Sequence, residues 1–372
     1  MSIYDKLNKT GPRKLLALDG GGIRGIVTIE VLARIESLLQ QQLNRDDTFV
    51  LADYFDYIGG TSTGAIIATC LALGMRVARI RDFYLSTGKE MFDKARLLRR
   101  FHYKFEDEKL AKKLQDEIGA DTTLGSDKLK TLLLLIIRNA TTDSPWPICN
   151  NPGAYYNNPD RPDCNLKFPL WQLVRASTAA PTFFPPEVID IGTGNPFVFV
   201  DGGITMYNNP AFQLFLMATV EPYNLNWQTG TDNMILVSIG TGLAASANKN
   251  LMPDQMNLLY NARSIPSALM FAAQNEQDFL CRVFGECLGG EDLDREVRDM
   301  IGKKGPMETK LFKYVRYNAE LSQDGLKNLG LGDIEPEDVQ RMDSVEHISE
   351  LQRVGGAVAR NVHQDHFARF LP

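Results

Sequence analysis

Apolar and polar positions follow two alternating rhythms through the first half of this chain. Residues 13–18, RKLLAL, end in an apolar run of the length expected for a buried strand. Residues 26–43 then place Ile26, Ile29, Leu32, Ile35 and Leu39 at helical spacing on one side. Tyr54 to Ile58 reads as a second strand, followed by helices over Ala65 to Leu73 and Arg76 to Leu85. Residues 128–138, centred on LLLLII, read as a central strand, and a Pro- and Asn-rich loop covers about 143–167. Trp171 to Ala180 predicts a helix stopped by Pro181, with short strands at Phe197 to Val200 and Met234 to Ile239. Strands that alternate with amphipathic helices predict α/β layering. After about residue 250 the pattern turns mostly helical and more charged. We therefore expect a core over residues 1–250 and a mostly helical portion over 251–372, packed on the core and offering a regulatory or oligomerisation surface.

Composition narrows the function classes. The 372 residues are 44% hydrophobic and 23% charged, with a net charge of −6. That balance gives no reason to expect DNA or RNA as a partner. The first residues, MSIYDKLNKTGPRK, lack the apolar centre of a secretory signal, and Leu132 to Ile137 is too short to span a bilayer. Five scattered cysteines form neither a CxxC pair nor a metal-like spacing. The expectation is a reduced, cytoplasmic protein that needs no metal or cofactor and meets membranes peripherally.

Three loops carry candidate chemistry. Asp19-Gly20-Gly21-Gly22-Ile23-Arg24-Gly25 lies between a predicted strand and a helix. Its bare amides suit a phosphate, a transient oxyanion or only a tight turn, and the residues alone leave all three open. Gly60-Thr61-Ser62-Thr63-Gly64 is G-x-S-x-G in strand–turn–helix context, which exposes a serine on a sharp turn. Val200-Asp201-Gly202-Gly203, with Asn208-Asn209-Pro210 after it, puts a carboxylate at a strand end, where it either caps a turn or serves a site. Taken together they supply a nucleophile, a base and oxyanion donors.

DGGGIRG at 19–25, GTSTG at 60–64, ASTAAPTFFPP at 176–186 and DGG at 201–203 resemble, in order, the motifs of the patatin-like phospholipases. The resemblance covers roughly residues 13–243. It implies a three-layer α/β/α sandwich around a mostly parallel sheet and a lipid acyl hydrolase working through a Ser–Asp dyad. By that likeness Ser62 is the nucleophile, flanked by Gly60 and Gly64 in the elbow, and Asp201 is its partner. Gly20, Gly21 and Gly22, with Arg24, would form the oxyanion hole. The substrate implied is membrane phospholipid.

Rival readings remain at this level. Ser62…Asp201…His363 or His366 fits the chain order of a Ser–His–Asp hydrolase. Arg24 serves equally as an oxyanion donor, a lipid-phosphate ligand or a salt bridge that holds its loop. Residues 91–105, MFDKARLLRRFHYKF, interleave basic and aromatic side chains and suit either an anionic membrane surface or a packed helix. Some patatin-like chains are bacterial anti-phage effectors that answer cyclic nucleotides and assemble into homo-oligomers. The same analogy allows a ligand-sensing or assembly module with a residual hydrolase site.

Overall fold

The computed structural model describes residues 2–92, 103–181, 184–192, 194–243, 252, 256 and 258–371. Its centre is one nine-stranded sheet with strands in the order β5-β6-β3-β2-β1-β7-β9-β8, and β4 also pairs with β3. The strands are β1 (Arg13–Leu18), β2 (Tyr57–Thr61), β3 (Leu132–Asn139), β4 (Ser144–Cys149), β5 (Glu187–Asp190), β6 (Pro196–Asp201), β7 (Met234–Ile239), β8 (Glu286–Gly289) and β9 (Lys313–Tyr317). From β3 through β2, β1, β7 and β9 to β8 all neighbours run parallel, whereas β4, β5 and β6 join antiparallel.

Successive residues of a strand point to opposite faces, yet β2 and β7 are buried at every position. Both faces are therefore covered, which is the three-layer arrangement expected. The longer helices are α1 (Gly25–Gln42), α2 (Thr63–Ala72), α3 (Val77–Phe92), α4 (Tyr103–Ile118), α5 (Leu170–Ser177), α6 (Ala211–Thr219), α7 (Leu258–Phe284) and α8 (Ile348–Ala359). The tail is joined closely to the rest: β8 and β9 extend the central sheet, and α8 packs along α1.

Several elements depart from the pattern reading. Leu51–Tyr54 is a helical turn, and the second strand starts at Tyr57 and runs through both glycines to Thr61. The apolar run after residue 128 is a turn until Leu132, because the Lys130 amide donates back to the Ala72 carbonyl. β4 lies inside the stretch read as a loop; Pro145 and Pro147 hid it, since proline is rare away from strand edges. Of the described residues, no helix is long and apolar enough to cross a membrane.

Candidate active site

The register of the sheet explains how Ser62 and Asp201 meet. β2 lies along one side of β3 with its last residue, Thr61, opposite Ile136. β6 lies on that same side, because β4 occupies the other, and its last residue, Asp201, is opposite Ile137. One strand arrives parallel and the other antiparallel, so their carboxyl ends abut. Residues 139 apart in sequence become neighbours, and Ser62 Oγ donates to Asp201 Oδ2 at 2.6 Å.

The serine stands on a forced turn. Its backbone has φ 53° and ψ −120°, a region that side-chain-bearing residues avoid at a cost of about 1–3 kcal/mol. The flanking glycines make the turn possible. A Cβ on Gly64 would lie 2.7 Å from the Asp19 carbonyl oxygen, and one on Gly60 would lie 2.7 Å from the Ala65 nitrogen. Ser177 Oγ fixes the turn from beneath, accepting from the Ser62 amide at 2.9 Å and donating to the Ile136 carbonyl at 2.6 Å. Ser177 lies in the ASTAAP stretch, and no local feature of the sequence marks it for this task.

Asp201 is 4% exposed and, among the described residues, meets no cation at contact distance. Its other oxygen accepts from the Gly203 amide at 2.6 Å. Burial pushes its carboxyl up to about 6, against the pull of Ser62, Gly203 and the Arg175 guanidinium. At neutral pH most of it is ionised and poised to take a proton.

The glycine loop closes the third side. A Cβ on Gly20 would come 3.2 Å from Ser62 Cβ, which sets the loop directly against the serine. The three expected donors differ, however. The Gly20 amide is taken, donating to the Asn208 carbonyl at 3.1 Å, and its carbonyl accepts from Thr241 Oγ1 at 2.9 Å. The Gly21 and Gly22 amides meet no acceptor among the described residues. Gly22 has φ +62°, a left-handed conformation suited to glycine. Arg24 is 6% exposed and donates to the carbonyls of Gly21 at 3.5 Å and Gly242 at 3.3 Å, so it braces the loop from within. Burial lowers its pKa to about 10, with Asp19 opposing, and it stays charged.

Asp19, at the head of the loop, enters a buried ion network that the sequence did not disclose. Arg316 on β9 grips both its oxygens, at 2.6 and 3.2 Å, and also reaches Asp278 at 3.4 Å. Asp278 is held in turn by Arg282 at 2.8 and 2.9 Å. Burial works against the Arg316 charge, but Asp19 and Asp278 outweigh it and raise its pKa. Two carboxylates thus face three guanidinium groups, Arg24 included, beneath the glycine loop.

The described histidines stand apart from this centre. His366 Nδ1 bonds Tyr317 Oη at 2.7 Å, its ring lies 5.5 Å from that of His363, and His347 sits 3.3 Å from Asp338. None of them touches Ser62 or Asp201, whose direct bond leaves the Ser–His–Asp order without its middle member among the described residues. Residues 93–102, the heart of the basic and aromatic stretch at 91–105, lie outside the described residues.

A family model described as patatin-like phospholipase matches residues 16–215, more than half of the chain. The chain is 28% identical over 261 residues to Patatin-T5 of Solanum tuberosum, covering 65% of this chain and 63% of that protein. It is 31% identical over 289 residues to an intracellular phospholipase A2 of Caenorhabditis elegans, covering 74% of this chain and 24% of that one. A cGAMP-activated phospholipase of Vibrio cholerae is 29% identical over 213 residues, covering 54% and 56%. The chain thus spans less than two thirds of the length of each of these relatives.

Proposed function

Because this chain belongs to the patatin-like phospholipase family, we propose that it cleaves ester-linked acyl chains from membrane phospholipids through a Ser62–Asp201 dyad. The observation that carries the reading is the 2.6 Å bond between Ser62 Oγ and Asp201 Oδ2 on a strained turn. Asp201 takes the hydroxyl proton as Oγ attacks the ester carbonyl. The carbonyl oxygen gains the negative charge as its π bond opens, and the Gly21 and Gly22 amides are the donors free to receive it. Collapse expels the alcohol, which leaves with the proton held by Asp201. Water then attacks the acyl-serine with Asp201 again as base, releasing the fatty acid and restoring Ser62. A carboxylate is a weak base towards an alcohol, so the scheme leans on oxyanion stabilisation, where one donor is worth about 3 kcal/mol. The surplus guanidinium charge beneath the loop acts in the same direction.

The test uses vesicles of mixed phospholipids incubated with wild type and Ser62→Ala, with fatty acids and lysolipids read by mass spectrometry. Lysolipid formed by wild type alone supports the reading; equal formation by the variant overturns it.

A cyclic-nucleotide activator is a second reading, favoured by the likeness to the Vibrio cholerae protein. Its candidate seat is a polar cavity of about 260 Å³ lined by Gly289, Gly290, Glu291, Asn318, Asn361 and His366 among others. Asn318 Oδ1 there accepts from the Gly242 amide at 2.9 Å, next to the Thr241 that holds Gly20. Turnover and molar mass measured with and without cyclic dinucleotides test both activation and homo-oligomer assembly; no change in either removes this reading.

A further inference from the structure

Helix α7 is built as two opposite halves. From Gln274 onward it hides polar groups: Gln274, Gln277, Asp278 and Arg282 are each under 9% exposed. Before Gln274 it shows apolar ones: Ile265 is 50% exposed and Leu269 65%, with Ala268 and Ala272 exposed beside them. Positions 265, 268, 269 and 272 repeat at i, i+3, i+4 and i+7, one face of a helix. A solvated face of that kind would carry charges. Here residues 256–275 hold one charged residue, Arg263, in a chain that is 23% charged.

The position of this half follows from contacts of the other. Gln274 Nε2 reaches Asp19 Oδ2 at 3.4 Å, just past the carboxyl end of β1, and the Phe284 carbonyl accepts from the Leu311 amide at the far end of β9. The helix thus runs antiparallel to β9. Ten residues at 1.5 Å match five strand residues at about 3.3 Å. Everything before Gln274 therefore projects past the edge of the sheet on which Ser62 and Asp201 sit. By the helical rise Leu269 lies about 7.5 Å along the helix from Gln274, and Ile265 one turn further on, past Pro266.

The rim beneath is apolar as well. α7 packs against the Gly202–Ile204 turn that follows Asp201, and Ile204 and Met206 are 41% and 56% exposed. The apolar rim thus begins three residues after Asp201, and the projecting half of α7 leaves the sheet edge beside Asp19, next in sequence to the Gly20 that abuts Ser62.

We propose that the projecting half of α7, with Ile204 and Met206, is the surface that enters a phospholipid bilayer and brings the dyad to its substrate. It rests on the hydrolase reading for its purpose, since a two-tailed lipid leaves the bilayer poorly and the enzyme must come to it. A lipid surface is the occupant that fits the chemistry. The four side chains offer hydrocarbon without a carboxylate, whereas the molecule as a whole carries −6 and would be repelled by anionic headgroups. A second copy of the chain is the competing occupant.

The test is Ile265→Glu/Leu269→Glu, at two exposed positions where a charge leaves the fold intact. Partition onto zwitterionic phosphatidylcholine vesicles is measured by co-sedimentation in the Ser62→Ala background, and hydrolysis of the same vesicles in the active enzyme. The expectation is a loss of about tenfold or more in both, with turnover of water-soluble 4-nitrophenyl butyrate within about twofold of wild type. Unchanged partition overturns the proposal. So does a wild-type dimer that the substitutions split, seen by light scattering, while vesicle binding stays the same. If wild type hydrolyses neither ester, the hydrolase reading fails, yet co-sedimentation still decides what the face binds.

Discussion

Asp201 and Asp19 end neighbouring parts of the same sheet edge, and both are almost wholly buried, at 4% and 0% exposure. Their partners make them opposites. Asp19 faces the Arg316 guanidinium, which neutralises it and turns it into a fastener for the glycine loop. Asp201 faces a hydroxyl and an amide, which satisfy its lone pairs without cancelling its charge. Burial alone therefore does not suit a carboxylate to the proposed role of base; burial beside a hydroxyl, with the nearest guanidinium acting only through its field, does. Arg316 grips Asp19 through two hydrogen bonds, whereas Arg175 acts on Asp201 through its field.

The sharpest way to break this contrast is to alter each aspartate's partner. Ser62→Ala and Asp201→Asn each remove a member of the proposed dyad, and phospholipid hydrolysis is expected to fall on the order of 10⁴-fold or more while the fold persists. Arg316→Met instead strands the buried Asp19 and leaves Asp278 to Arg282 alone. It lowers unfolding stability by about 3–5 kcal/mol in denaturant titrations, a loss that Asp201→Asn does not share, while the folded fraction keeps part of its activity. Should Asp201→Asn unfold the protein and Arg316→Met leave it stable, the roles given to the two carboxylates would be reversed.

Titration separates them next. The unfolded chain releases the Asp201 proton near the ordinary value of 3.8, the folded one near 6. Stability from this group is therefore present below pH 3.8 and lost as pH rises to 6, by at most about 3 kcal/mol. The melting temperature of Asp201→Asn relative to wild type should rise between pH 4 and pH 7, followed by calorimetry. A difference independent of pH would contradict the raised carboxyl. The smallest effect is that of Ser177→Ala, which removes one support of the serine turn. A loss of about 1 kcal/mol, or roughly fivefold in kcat with KM held, is the expected result.

What could be read from the chain, and what could not, divides along the same edge. GTSTG and VDGG announced a serine and a carboxylate at strand ends because glycine spacing is a local property. That β2 and β6 abut along β3 is a matter of register, which no single segment carries. Arg316 was illegible for a related reason. In KYVRY it looks like the polar side of an edge strand, and only the distant Asp19 and Asp278 make its burial tolerable. The same mixture of charge and short length concealed β8 and β9 within a tail that read as helical. Asn208 was visible in NNP, but that its carbonyl would occupy the Gly20 amide depends on how two loops fold together.

The most direct test of a serine activated by an unpaired carboxylate is the pH dependence of Ser62 labelling by a fluorophosphonate, read by mass spectrometry of the peptide that holds it. We predict a rate that falls with one proton below pH about 6, keeps that inflection in His363→Ala/His366→Ala, and vanishes in Asp201→Asn. Labelling at another residue, or an inflection lost with the two histidines, would contradict the account.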